Sequence, residues 1–172
     1  KVEAPARTAE PAQPGAAVSD QPLPTLEELL PIHGDAARGK ELVMGRAQCA
    51  SCHLFAGQGK SVGPDLTGIG SKLDRTRLFE AILNPSAAIS FGYEAWKIQT
   101  LDGQVLMGFV VGEGDPVVLI DAQAEQRMIP AESIEVRQRQ NTSLMPEISQ
   151  ANLSPQDLAD IVEFLASQPV PQ

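Results

Sequence analysis

The most specific chemistry in this chain sits in five residues, Cys49-Ala50-Ser51-Cys52-His53. Cys49 and Cys52 are the only cysteines of the 172 residues. A disulfide closing so short a loop would constrain the unfolded chain little, so the pair calls for a chemical role. C-x-x-C-H is the spacing at which a c-type haem is attached. Two thiols three positions apart reach two vinyl groups on one edge of a porphyrin, and the adjacent imidazole reaches the iron from one face. Cys49 and Cys52 are therefore expected to carry thioethers to one haem c, with His53 as an axial ligand of its iron. Two other chemistries use the same residues. A thiol redox pair would be expected between a strand and a helix, whereas here a predicted helix precedes the motif and a glycine-rich loop follows. Zinc would need further Cys or His ligands, and the only other histidine is His33.

A second axial ligand is sought among four methionines, Met44, Met107, Met128 and Met145. Met44 falls in the helix before the motif and is expected in a core. Met107 and Met128 fall in predicted strands, where core packing is again the expectation. Met145 precedes Pro146 in a polar loop that has no other use for a thioether, which makes it the best candidate. His33, flanked by Pro31 and Gly34, remains an alternative.

The surrounding elements follow from caps and periodicity. Residues 1–24, punctuated by Pro5, Pro11, Pro14, Pro22 and Pro24, read as a disordered, semi-extended linker. Asp35 caps a helix running into the motif, and Asp74 caps a second over residues 75–83 with Leu78, Phe79 and Ile82 on one face, stopped by Asn84-Pro85. The glycines from Gly57 to Gly70 argue against regular structure between them. From residue 93 the period changes to two. Strands are predicted through Trp96–Thr100, residues 105–111, 117–120, 126–129 and 134–137, with Asp102-Gly103 as a two-residue hairpin turn. Together, residues 93–138 read as a small antiparallel meander. Ser154-Pro155 opens a last helix whose apolar face is Leu158, Ile161, Val162 and Leu165.

Gly63-Pro64-Asp65-Leu66 after the motif, and Met145-Pro146 before the final helix, resemble the pattern of class I cytochromes c. The resemblance implies that the Pro64 carbonyl accepts a hydrogen bond from His53 Nδ1 and that Leu66 packs on the haem face. The stretch from His53 to Met145 is much longer than in compact members of that family. With Ile82-Leu83-Asn84-Pro85-Ser86, Gly92-Tyr93-Glu94, Ile129-Pro130 and Ser143-Leu144-Met145-Pro146, the chain is similar over about residues 35–168 to a subfamily of haem-binding domains best known from planctomycete-type bacteria. Those domains are often fused to large dehydrogenase-like or propeller chains. The implied fold is a mainly α cytochrome c domain around one haem over residues 25–172, with a β-rich insert at 93–138, α+β overall.

The net charge is −9 and the sequence pI is about 4.6. No basic stripe is present to neutralise phosphates, which argues against nucleic acid. The acidity suits a redox partner with a basic docking patch, or simply solubility. No apolar run reaches the roughly 18 residues of a membrane span. The chain starts at Lys1 without a visible signal peptide, so its natural N-terminus is expected to have been removed or to lie upstream, with tethering there one option. Since thioether attachment of haem takes place outside the cytoplasmic membrane, the protein is expected in the periplasm. His/Met ligation would suit electron transfer, as a carrier or as a domain of a larger redox enzyme. The alternative is a haem-based sensor or small-ligand module with a labile or missing distal ligand. A peroxidase would need an open iron and often a second haem motif. Asp65, Asp74 and Glu80 are scattered, and read as caps or solvated charges, not acid–base groups.

Overall fold

The structure is a computed structural model that describes residues 23–168, so nearly all of the expected linker lies outside the described residues. Among the described residues there are four α-helices: α1 (Leu26–Leu29), α2 (Ala36–Met44), α3 (Arg75–Leu83) and α4 (Pro155–Ala166). Their starts follow the capping logic. Asp35 accepts from the Ala37 and Arg38 amides, Asp74 from the Arg77 amide, and Ser154 forms a capping box with Asp157 behind Pro155. Each such cap is worth about 1 kcal/mol. α2 ends at Gly45, short of the motif; Gln48, in the left-handed region at φ 55°, turns the chain into a 3₁₀ turn, Cys49–Ser51.

The helices enclose one core in which Leu42 and Val43 of α2 meet Phe79 of α3 and Leu158, Ile161, Val162 and Phe164 of α4. α2 and α4 approach so closely that glycine is required between them. A Cβ on Gly39 would stand 1.9 Å from the Asp160 carbonyl oxygen. The same crossing is locked by charge. Arg38 and Arg46 donate to the two Asp157 carboxylate oxygens at 2.7 and 2.8 Å. The fully buried Asp160 accepts from the Asp35 amide and from Gln156 Nε2, both at 2.8 Å. Its other oxygen has no hydrogen bond and faces Arg38 Nη1 at 3.3 Å.

The glycine-rich stretch is not wholly irregular. A two-stranded ribbon, β1 (Leu54–Phe55) with β2 (Gln58–Gly59), and a 3₁₀ turn, Ile69–Ser71, occur within it. The reason is local: Ala56 and Gly57 both take positive φ and make the tight turn between the strands.

Between α3 and α4 lies a five-stranded antiparallel sheet of β3 (Ala95–Thr100), β4 (Val105–Gly112), β5 (Val117–Ile120), β6 (Gln126–Ile129) and β7 (Ile134–Arg139). Its order, β6-β5-β4-β3-β7, departs from the expected meander: β7 crosses over to pair with β3. The β3–β4 loop has three residues, not two, because Thr100 and Gln104 pair across it, and Gly103 supplies the positive φ (85°). Ile98, Val117, Leu119 and Ile129, with Leu106, Val110 and Ile134, form a second, separate core. Met107 and Met128, expected in a core, are instead exposed by 45% and 66%. They stand at β-positions alternate to Leu106 and Ile129, so the pleat turns them outward. Tyr93 packs edge-on against Phe109 (5.6 Å), and Trp96 lies under the Arg137 guanidinium (4.3 Å). No described helix is long and apolar enough to cross a membrane.

Candidate haem-binding site

The 3₁₀ turn compresses the cysteine motif so that the His53 amide bonds the Cys49 carbonyl at 2.9 Å. The following loop is then drawn back over it. The Val62 and Gly63 amides donate to the Cys52 carbonyl (3.0 and 2.7 Å), Lys60 to Ala50 (3.0 Å) and Leu66 to Leu54 (2.9 Å). This backbone lacing sets the Pro64 carbonyl oxygen 2.8 Å from His53 Nδ1. A carbonyl within hydrogen-bond distance of a ring nitrogen selects the tautomer with its proton on Nδ1 and leaves the Nε2 lone pair free. Nε2 has no hydrogen-bond partner among the described residues.

Close packing fixes the ring. A Cβ on Gly63 would fall 2.7 Å from His53 Cε1 and 3.0 Å from Nδ1, so the loop can lie flat on the imidazole only as glycine. On the core side, Phe55 meets the His53 ring edge-on at 6.5 Å and touches Phe164 of α4 at 5.9 Å. Burial lowers the His53 pKa, and the bond to Pro64 opposes that only in part. The imidazole is thus held neutral, the form that ligates a metal.

Cys49 and Cys52 are both partly buried and not bonded to one another. Burial pushes the Cys49 thiol up to about 11. A redox-active C-x-x-C needs the opposite, a thiol made acidic by its surroundings. No three His, Cys, Asp or Glu side chains among the described residues converge as a metal site, which leaves zinc without a ligand set. Two thiols at this spacing beside an oriented, neutral histidine, with a glycine where a side chain would crowd it, fit a covalently attached haem.

The hydrogen bonds that gather Cys49, Cys52, His53, Pro64 and Leu66 do not extend to Met145. Leu66 packs against the helical core. Met145 is half-buried on the loop after β7; its amide donates to Ser143 Oγ at 3.1 Å, and the Ser143 amide donates to Ser86 Oγ at 3.0 Å. Ile148, three residues on, is buried in the helical core. Met44 packs against that core as expected. His33 is exposed, and its carbonyl accepts from Gln156. Among the carboxylates, Asp65 accepts from Thr67, Asp74 caps α3, and Glu80 pairs with Arg77. Ser86, Ser143 and Gly63 stood in stretches that carry the resemblance, but the hydrogen bonds of the two serines and the flat contact of Gly63 were not legible there.

A helical core carrying a C-x-x-C-H turn with its histidine tied to a proline carbonyl is an arrangement fit to hold a c-type haem. Residues 36–101, from α2 through the motif and α3 to the end of β3, match the family model for Cytochrome c. The match covers well under half of the chain, and it supports a c-type cytochrome with covalently bound haem. No curated protein matches the chain.

Proposed function

We propose that the chain is a single-haem c-type cytochrome that transfers electrons, with thioethers at Cys49 and Cys52 and with His53 and Met145 as axial ligands. The observation that carries this reading is the 2.8 Å contact between His53 Nδ1 and the Pro64 carbonyl. It commits one ring nitrogen and frees the other. An outer hydrogen bond of this kind fixes the ring and raises its basicity as a ligand. Haem bound there would supply one-electron exchange at iron, at a potential raised by His/Met ligation. The chain's own residues set the terms of that exchange. Cys49 and Cys52 would hold the group through their thiols, Gly63 and Phe55 hold the imidazole plane, and Met145 would be the second protein ligand, limiting binding of small molecules.

The five-stranded insert ahead of the Met145 loop supports placing the chain with the insert-bearing subfamily. Thioether formation carries with it export to the periplasm, and the acidic chain suits a redox partner with a basic docking patch.

Optical spectroscopy tests the ligand set. The ferric protein is expected to show the weak long-wavelength band of a methionine–iron bond, and that band should vanish in Met145→Ala. Rapid carbon monoxide binding to the reduced wild type, with no such band, would sink the electron-carrier reading and favour a ligand-binding module.

A further inference from the structure

We infer that Ser143 and Ser86 form a clasp whose role is to position Met145, so that these two hydroxyls govern how readily an external ligand displaces it. The inference rests on Met145 being the second axial ligand.

The topology creates the need. β3 and β7 are neighbours, so the chain enters and leaves the insert at one place, and the Gln140 amide bonds the Ala95 carbonyl at 2.8 Å. The Met145 loop therefore hangs from a sheet that has its own core, separate from the helical one. A ligand hung from the sheet alone would follow any movement of the sheet relative to the helices. The clasp replaces that reference with a nearer one. Ser86 lies in the turn just after α3, closed by the Ala87 amide on the Asn84 carbonyl at 3.0 Å. α3 is seated in the helical core by Leu78, Phe79 and Ile82. Ser86 Oγ receives the Ser143 amide across 57 positions of sequence, and Ser143 Oγ receives the Met145 amide. On the other side Ile148 is buried in the same core. Met145 is thus held between two anchors that both refer to the helices carrying the rest of the site.

Removing either hydroxyl frees one amide and loosens the anchor that precedes Met145. The loss of one such bond is expected to shift a local equilibrium roughly three- to tenfold. The test is imidazole titration of the ferric holoprotein, followed by the long-wavelength band, for wild type, Ser143→Ala, Ser86→Ala and Ser143→Thr, with thermal midpoints alongside. Ser143→Ala and Ser86→Ala should each bind imidazole roughly three- to tenfold more tightly with a weakened band, while Ser143→Thr, which keeps a hydroxyl, stays near wild type. If the wild type shows the band and both alanine variants bind imidazole as it does, the clasp is overturned, even where their thermal midpoints fall. If the wild type lacks the band, or the band survives Met145→Ala, the ligand assignment itself fails and the clasp falls with it.

Discussion

His53 has one nitrogen committed to Pro64 and one free, and that asymmetry is built by backbone hydrogen bonds and a glycine. Gly63→Ala tests how tightly. The added methyl would lie 2.7 Å from Cε1, so ring or loop must shift. We expect a stability loss of about 1–3 kcal/mol by denaturant unfolding, and a changed reduction potential in the same variant. An unchanged potential would mean the ring keeps its orientation without the flat contact. The thiols and histidine stood out in the sequence as a candidate site because covalent attachment of haem would dictate their spacing. Met145 emerged by comparing the surroundings of four methionines, an argument about neighbours and not about chemistry. Gly63 and the two serines were noticed only as parts of stretches that carry the resemblance; their contacts were not readable, because those depend on what a loop meets after folding.

At the scale of elements, the α2–α4 crossing is where the core is most exacting. Gly39→Ala would put a methyl 1.9 Å from the Asp160 carbonyl oxygen and drive the helices apart. It should cost about 3 kcal/mol or more, visible as a lowered thermal midpoint and a poor yield of haem-loaded protein. Asp157 gives the crossing a pH signature. Burial raises its pKa, but bonds from Ser154 and from Arg46 outweigh that and hold it below the ordinary carboxylate value. Its contribution is therefore complete above the unfolded-state pKa, near about 3.9, and is lost as pH falls through the lower folded value. Asp157→Ala should lose about 2 kcal/mol at neutral pH, from a cap and two half-exposed ion pairs. That difference should shrink in urea unfolding below about pH 4. The helices were legible because Asp35, Asp74 and Ser154 cap them locally. The strands of the five-stranded sheet were legible by alternation, unlike the short β1–β2 ribbon, but the crossover of β7 was not, since period two says nothing about which strand a neighbour is. Nor did alternation say which face was inside. β4 is apolar on both faces, and the choice of Leu106 over Met107 was made by the residues of β3, β5 and β6 that pack with it.

Taken whole, the described residues form a helical core bearing the C-x-x-C-H motif and a separately cored sheet, joined at the stem of the sheet. Its charge of −9 predicts how it meets other molecules. A cationic small-molecule oxidant should react faster with the reduced protein than an anionic one at low salt, and the advantage should shrink as ionic strength rises. Equal rates at low salt would mean that acidic groups lie away from the site of electron exchange. All of this depends on haem being joined to the two cysteines. The most direct measurement is the intact mass of the protein produced with a c-type maturation system, after acid extraction that removes haem held without covalent bonds. One haem should be retained on the chain, with neither Cys49 nor Cys52 open to alkylation, and at least one thioether should be lost in Cys49→Ala or Cys52→Ala. Haem extracted in full, leaving two alkylatable thiols on a folded protein, would contradict covalent attachment.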